Sequence, residues 1–406
     1  MVKNFFETYD KYVDSVFYDA SAWSVSNMYN MKSKKLKSFS GESEIKDTEN
    51  FVKNANVNKS EYAYILDWDD YNSPAALNYL QENKIITYSA FKPFTVKVNG
   101  TNSVKKFNYG AVLIPVSKQN ISSIELFTII EQIQKKFNVP LVNAESGYSM
   151  KGIDLGSNNF RINKAVKIAM LIGEGVNSYE AGEVWHLLDT RVNMPLTKIR
   201  LNQFSGVSLD RYTTLVMVSG SYNQLDEKQI DKIKNWVGKG NTLITIARGS
   251  SWAINNKLIN ESLVESKRDS TYSRKRYVDA REHIGRERIG GSILSADLDL
   301  THPLAFGYND KSIPVYKNNN VFINKTKSDY SSVAIYSSDF HIDGYLSNSN
   351  RNDYIPGSAS LIVSKIGSGR VIVFADNPNF RGTWYGTNKL FLNAIFLGNN
   401  ISVPTN

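Results

Sequence analysis

The chain contains no cysteine, so disulfides, thiolate metal sites and cysteine nucleophiles are excluded together, whatever compartment it occupies. Histidine is scarce. His186, His283, His302 and His341 are the whole supply, and any zinc or acid–base site must use one of them or rely on carboxylates. No stretch approaches the roughly 18 consecutive apolar residues of a membrane span. The opening Met1-Val2-Lys3-Asn4-Phe5-Phe6-Glu7 lacks the apolar core of a signal peptide. A dinucleotide fingerprint is also missing: Gly173-Glu174-Gly175 stops short of G-x-G-x-x-G because Ser178 stands where the third glycine belongs. Both glycines are therefore read as tight-turn residues.

What is present describes an ordinary globular protein. A length of 406 residues with 41% hydrophobic and 12% aromatic content can bury sizeable cores and suits two or three domains. Lys and Arg exceed Asp and Glu by 48 to 39, but the excess is spread along the chain and the aromatics are not interleaved with it. No nucleic-acid partner is expected on those grounds.

Hydrophobic periodicity predicts an α/β fold made of two parallel-sheet units. Residues 1–60 are read as the tail of an upstream domain plus a linker: aromatics such as Phe17, Tyr18, Trp23 and Tyr29 follow no clean period, and 32–60 is polar and charged. Residues 61–160 form the first, small α/β unit. Strands are predicted at 62–66, 85–88, 111–116 and from 139, with helices from Ser73-Pro74 to about Asn83 and over Ile121–Phe137, the latter presenting Ile124, Phe127, Ile130 and Ile133. Residues 161–400 repeat the pattern more strongly. Their strands are expected at 166–172, 214–218, 242–246, 360–364 and 370–375, with helices from Ser178 to about Leu188, over Asp226–Val237 and from about Gly386 to Phe396. Strands alternating with helices imply a parallel, doubly wound sheet covered on both faces. A basic insertion near 265–290, rich in Lys267, Arg268, Arg274, Lys275, Arg276, Arg281, Arg286 and Arg288, is either a solvated loop or helix or a docking surface for an acidic partner or phosphate.

Few positions carry obvious chemistry. His186 and Asp189 share a helix face with Glu183 one turn back, but no third metal ligand converges with them, and the apolar neighbours Trp185, Leu187 and Leu188 favour a histidine satisfied in helix packing. After the strand 242–246, Gly249-Ser250-Ser251 is placed at a strand-to-helix turn, where α/β folds expose nucleophiles. G-x-S-x-G is incomplete there, since Ser251 is flanked by Gly249 and Ala253. Ser250 or Ser251 is read as a helix cap, with a serine hydrolase as the alternative.

Longer motifs carry a resemblance. Asp14-Ser15-Val16-Phe17-Tyr18-Asp19-Ala20-Ser21-Ala22-Trp23, Gly173-Glu174-Gly175-Val176, Glu183-Val184-Trp185-His186-Leu187-Leu188-Asp189-Thr190-Arg191, the run from Thr301 to Tyr308 and that from Asn379 to Leu390 resemble the C-terminal half of large carboxypeptidase A-like zinc peptidases of Bacteroidetes-type bacteria. That resemblance implies an upstream peptidase domain as partner, with zinc bound there through H-x-x-E and no cofactor in this chain. It also implies a periplasmic or cell-surface parent. The second unit is similar to a class I glutamine-amidotransferase domain of flavodoxin-like type, whose cysteine would fall at Gly249-Ser250-Ser251 and whose histidine would fall near Asp376-Asn377-Pro378-Asn379. The expectation is a non-catalytic accessory region. Its cleft at the strand ends is expected to comprise Gly173, Glu174, Gly175, Glu183, His186, Ser250, Ser251, Asn377 and Arg381, and to hold a peptide or carbohydrate, with Arg381 gripping a carboxylate.

Overall fold

A computed structural model describes residues 24–34, 38, 57–265 and 274–402. The aromatics Phe17, Tyr18 and Trp23, most of the expected linker, and Lys267 and Arg268 of the basic insertion lie outside those residues. A short helix, α1 (Val25–Met28), precedes the first sheet.

The first unit runs β1 (Ala63–Leu66), α2 (Ser73–Glu82), β2 (Tyr88–Ala90), β3 (Phe94–Lys97), β4 (Val104–Phe107), β5 (Val112–Pro115), α3 (Ser123–Phe137), β6 (Leu141–Ala144), β7 (Lys151–Gly152) and β8 (Phe160–Ile162). Helix α3 shows how local sequence sets an element. The Ser122 hydroxyl accepts from the Glu125 N–H at 3.2 Å while the Glu125 carboxylate accepts from the Ser122 N–H at 2.9 Å, a reciprocal capping box. Asn138, in the left-handed region at φ 52°, stops the helix. Its buried stripe is Leu126, Ile130, Ile133 and Phe137; the expected stripe began at Ile124, which is instead 68% exposed.

Strand order in this sheet is β6-β1-β5-β2-β8, and every neighbouring pair is antiparallel. The expected parallel sheet is thereby corrected. β1–α2–β2 and β5–α3–β6 are each crossovers between strands of like direction, but the two crossovers interleave. Each strand therefore lies beside an oppositely directed strand of the other crossover, the split βαβ arrangement. Helices α2 and α3 cover one face. On the other face Ile65, Leu113 and Ala144 meet Phe94, Val96 and Phe107 of a second small sheet, β4-β3-β7.

The second sheet has nine strands. Its elements are β9 (Ile168–Ile172), α4 (Ser178–His186), β10 (Leu196–Arg200), β11 (Thr214–Met217), α5 (Glu227–Gly238), β12 (Thr242–Ile246), α6 (Arg248–Asn255), α7 (Ala280–Arg286), β13 (Ser292–Leu298), β14 (Ser312–Lys317), β15 (Ser332–Asp343), β16 (Ala359–Ile366), β17 (Gly369–Phe374) and α8 (Tyr385–Phe396). The order is β10-β9-β11-β12-β17-β16-β15-β13-β14. β10 through β17 run parallel, whereas β16, β15, β13 and β14 add antiparallel. A wholly parallel, doubly wound sheet was expected; the sheet is mixed. Three of the antiparallel strands come from 292–343, where loops and short turns, not crossover helices, connect the strands.

Alternation along the parallel strands supplies two cores. Met170, Val216, Ile244 and Ile372 face one side with Val184 of α4 and Phe391 of α8. Leu171, Leu215, Leu243 and Val371 face the other with Trp236 of α5 and Ala253 of α6. The first core is continuous with Tyr64, Leu77 and Ile130 of the smaller unit. Polar groups reinforce that seam. Trp68 Nε1 donates to Asn393 Oδ1 at 2.8 Å, and Asn393 Nδ2 donates to the carbonyls of Leu304 and Phe306, each at 2.8 Å. Gly307 is required there, because a Cβ would stand 2.7 Å from the Trp68 carbonyl oxygen. Among the described residues no helix is long and apolar enough to cross a membrane.

Candidate functional site

Between β12 and α6 the chain turns at Ala247, whose φ of 49° and ψ of −113° lie where side-chain-bearing residues are rarely found. Strand, strained residue, helix is the geometry by which an α/β fold lifts one side chain above the sheet. Ala247 N–H is tied to the Phe374 carbonyl at 2.8 Å. Gly249 lets α6 begin against β11: a Cβ there would lie 2.5 Å from the Val218 carbonyl oxygen and 2.6 Å from that of Met217. The raised side chain is a methyl group.

This places the elbow three residues before the serine expected to mark it. Ser250 is fully buried, donates to the Phe374 carbonyl at 2.8 Å and lies 3.0 Å from Thr245 Oγ1. It fastens α6 to the sheet. Ser251 is half-buried. Neither serine caps the helix, since both fall inside α6 and the capping position is Ala247.

Glu183, on α4, meets the loop after β17. Its carboxylate accepts from Asn377 Nδ2 at 2.5 Å and from the Arg381 N–H at 2.6 Å. Burial pushes its pKa up to about 7 against the opposing pull of those two hydrogen bonds. Arg381, expected to grip a ligand carboxylate, sits at φ 53° with its guanidinium 5.4 Å over the Phe380 ring; its backbone N–H donates to the Glu183 carboxylate, and its charge also acts on that carboxylate. His186 is exposed beside this loop, with Nδ1 3.4 Å from where a Gly382 Cβ would lie; the expected packed histidine is corrected, because the buried face of α4 is Ala181 and Val184. One turn before Glu183, Glu180 accepts from the Ser219 N–H at 2.8 Å, and burial raises its pKa while that bond and the Arg248 charge oppose the rise. The Ser219 hydroxyl accepts from the Arg248 N–H at 3.2 Å.

Gly173 and Gly175 take φ values of 112° and 86°, the left-handed turns that a side chain would strain. The Gly175 carbonyl accepts from the Ser221 N–H at 2.9 Å, and the Glu174 carbonyl from Gln224 Nε2 at 3.3 Å. Helix α4 is capped by Asn177, whose side chain accepts from the N–H groups of Tyr179 and Glu180.

A cleft of about 930 Å³ opens above α6, between the turn at Gly220 and the loops at 288–290 and 318–321. Of the residues expected to form a cleft, only Ser251 lines it. Glu183, Asn377 and Arg381 are brought together elsewhere, with His186 at their edge, and Ser250 lies beneath. Arg248 and Asn318 line the cleft but were missed in the sequence, where the three consecutive asparagines 318–320 are the one local signal; Arg288, which also lines it, was read there only as part of the basic insertion. In the described part of the basic insertion, Arg276 pairs with Asp279 at 2.8 Å and Arg286 with Glu282 at 2.9 Å, while Lys275 Nζ approaches His283 Nε2 at 2.7 Å. Among the described residues no three His, Asp or Glu side chains are grouped to hold a metal ion.

No family model matches the chain, and no curated protein matches it. Solved structures are similar in part. A ThuA-like protein from Parabacteroides merdae shares 12% identity over 60% of this chain and 93% of its own, with a TM-score of 0.39. A glutamine amidotransferase from Thermotoga maritima shares 11% over 53% and 76%, with a TM-score of 0.32. An exo-β-1,4-mannosidase from an Opitutaceae bacterium shares 12% over 58% of this chain but only 36% of its own, at 0.31. No assignment of family or activity rests on likeness of this degree.

Proposed function

We propose that this chain is a non-catalytic accessory region in which a glutamine-amidotransferase-like scaffold keeps its strand-to-helix elbow and presents a polar ligand cleft beside it. The observation that carries this reading is Ala247 at φ 49°, ψ −113°. Elbow chemistry requires an oxygen or sulfur nucleophile and a base to take its proton. A methyl group supplies neither, and the buried Ser250 hydroxyl is committed to the Phe374 carbonyl. Retaining a scaffold while losing its chemistry is a common outcome, since function resides in sites and not in folds.

We further propose, on the resemblance of the Glu183–Arg191 and Asn379–Leu390 motifs to carboxypeptidase A-like zinc peptidases, that the region follows a peptidase domain in an exported protein, where it packs on that domain or presents peptide or carbohydrate to it. Zinc would belong to the peptidase domain.

The test is turnover by the purified chain of glutamine, of p-nitrophenyl esters and of peptides trimmed from the C-terminus, beside Ser250→Ala and Ser251→Ala variants. No release above the buffer rate is expected in any of the three assays. Serine-dependent turnover would overturn the reading.

A further inference from the structure

We infer that the cleft above α6 is a binding site for an acidic saccharide, a polyhydroxylated ring bearing a carboxylate, held by Arg248 and Arg288. The inference deepens the ligand-cleft part of the proposed function and rests on it.

Charge is the first ground. Arg248 and Arg288 both line the wall, one from the first turn of α6 and the other from the loop before β13, and no Asp or Glu is among the described residues lining the space. Both side chains are exposed. The Arg288 guanidinium has no ion pair or hydrogen bond among the described residues. Nearby carboxylates hydrogen-bond elsewhere: Glu287 accepts from the hydroxyls of Ser347 and Ser349, and Glu180, which feels the Arg248 charge, from the Ser219 N–H. Two exposed guanidiniums, neither in an ion pair within 4 Å among the described residues, favour an anionic ligand, and their planar donor forks suit a carboxylate.

The second ground is the rest of the wall. Asn223, Asn255 and Asn318 are exposed in it, and their side chains make no hydrogen bond to another described residue. An amide carries donors and an acceptor side by side, so it can serve neighbouring hydroxyls that both give and take hydrogen bonds. Asn319 and Asn320, by contrast, hold the loop: Asn319 Nδ2 donates to the Ala375 carbonyl at 3.2 Å and Asn320 Nδ2 to that of Glu287 at 2.8 Å. The apolar members Trp252, Ile289 and Val321 are buried at 8%, 3% and 6% exposure, so the exposed side chains of the wall are polar or charged. At about 930 Å³ the cleft lies at the upper end of small-molecule sites, roughly 300–1,000 Å³, with room for more than one ring.

Titration calorimetry of the full chain tests this with trigalacturonate, a hyaluronan tetrasaccharide and N-acetylneuraminic acid as probes. A neutral galactose trisaccharide, an acidic tetrapeptide and inorganic phosphate serve as comparators. Saturable binding of at least one acidic sugar is expected, at least about tenfold tighter than any comparator, and weakened about tenfold or more by Arg288→Gln, as loss of a charge-assisted hydrogen bond implies. Arg248→Gln and Asn318→Leu should weaken it too, with melting temperatures unchanged, whereas Arg381→Ala should leave it intact. The inference falls if no acidic sugar binds, if a comparator binds as tightly, or if Arg288→Gln has no effect. Turnover in the ester, glutamine or peptide assays would overturn the non-catalytic reading without touching this result, so the two failures are separable.

Discussion

At the scale of single residues, Ala247 holds a conformation that costs a non-glycine residue about 1–3 kcal/mol. Replacing it with glycine removes that cost but adds freedom to the unfolded chain worth about 0.4–1 kcal/mol. Ala247→Gly is accordingly expected to raise stability by about 1 kcal/mol, read as a higher urea midpoint with an unchanged slope; a lower midpoint would show that the turn is unstrained. Local sequence conceals the elbow because alanine announces no chemistry. Its one trace is spacing: Gly249 stands two residues after Ala247, as the second glycine of an elbow pattern does, and counting back from it would have found the turn that Ser250 misplaced. Glu183 is a contrasting case. Its place on α4 was readable from periodicity, but its contact with Asn377 and Arg381 spans nearly two hundred residues of sequence, a separation of 194 for the first pair.

At the scale of elements, one buried ion pair joins the antiparallel strands to the parallel ones. Lys317, at the end of β14, has no exposed surface and donates to Asp376 Oδ1 at 3.1 Å and to the Val321 carbonyl at 2.7 Å. Asp376, just beyond β17, also accepts from the Tyr336 hydroxyl of β15 and from Ser360 of β16, both at 2.6 Å. Asp376 thus stands near where the resemblance placed a catalytic histidine, yet it anchors four strands. Removing one partner strands the other charge in the core, so Asp376→Ala should cost about 3–5 kcal/mol. Thermal melting checks this, and the double variant Lys317→Met, Asp376→Leu should recover part of the loss; an Asp376→Ala protein that melts like the parent would refute the anchoring role. Of the antiparallel strands β16 was legible at 360–364, whereas β13, β14 and β15 were hard to read. β15 pairs with shifted registers on both sides, which breaks the period-two alternation that identifies a strand. The parallel strands β9, β11, β12 and β17 are short apolar runs buried on both faces, and those were legible.

At the scale of the whole molecule, α8 holds the two sheets together through Lys389. Its ammonium donates to the carbonyls of Trp68, Asp69 and Asp70 at 2.6, 3.0 and 2.9 Å. Burial lowers its pKa from 10.5 to about 8, partly offset by Asp69, Asp70 and Asp67. Between about pH 8 and 10.5 the folded chain therefore holds fewer protons at this site than the unfolded chain, so the contribution of Lys389 grows as pH rises through that window and is absent below it. Comparing denaturant midpoints of the parent and Lys389→Met at pH 7.5, 9 and 10.5 should show a relative gain of the parent at the higher values; parallel profiles would refute it.

The sequence by itself determined where most helices and the buried parallel strands lie, because caps, apolar stripes and double-sided burial act within a dozen residues. It also determined that no thiol chemistry occurs in this chain. Only the tertiary structure decided that the smaller sheet is antiparallel, that the larger one is mixed, that the elbow is Ala247, and that Arg248, Arg288 and Asn318 share a cleft. Each of those depends on which distant segments pack side by side, and strand neighbours and converging loops are chosen by the energy of the assembled core, which no local pattern encodes.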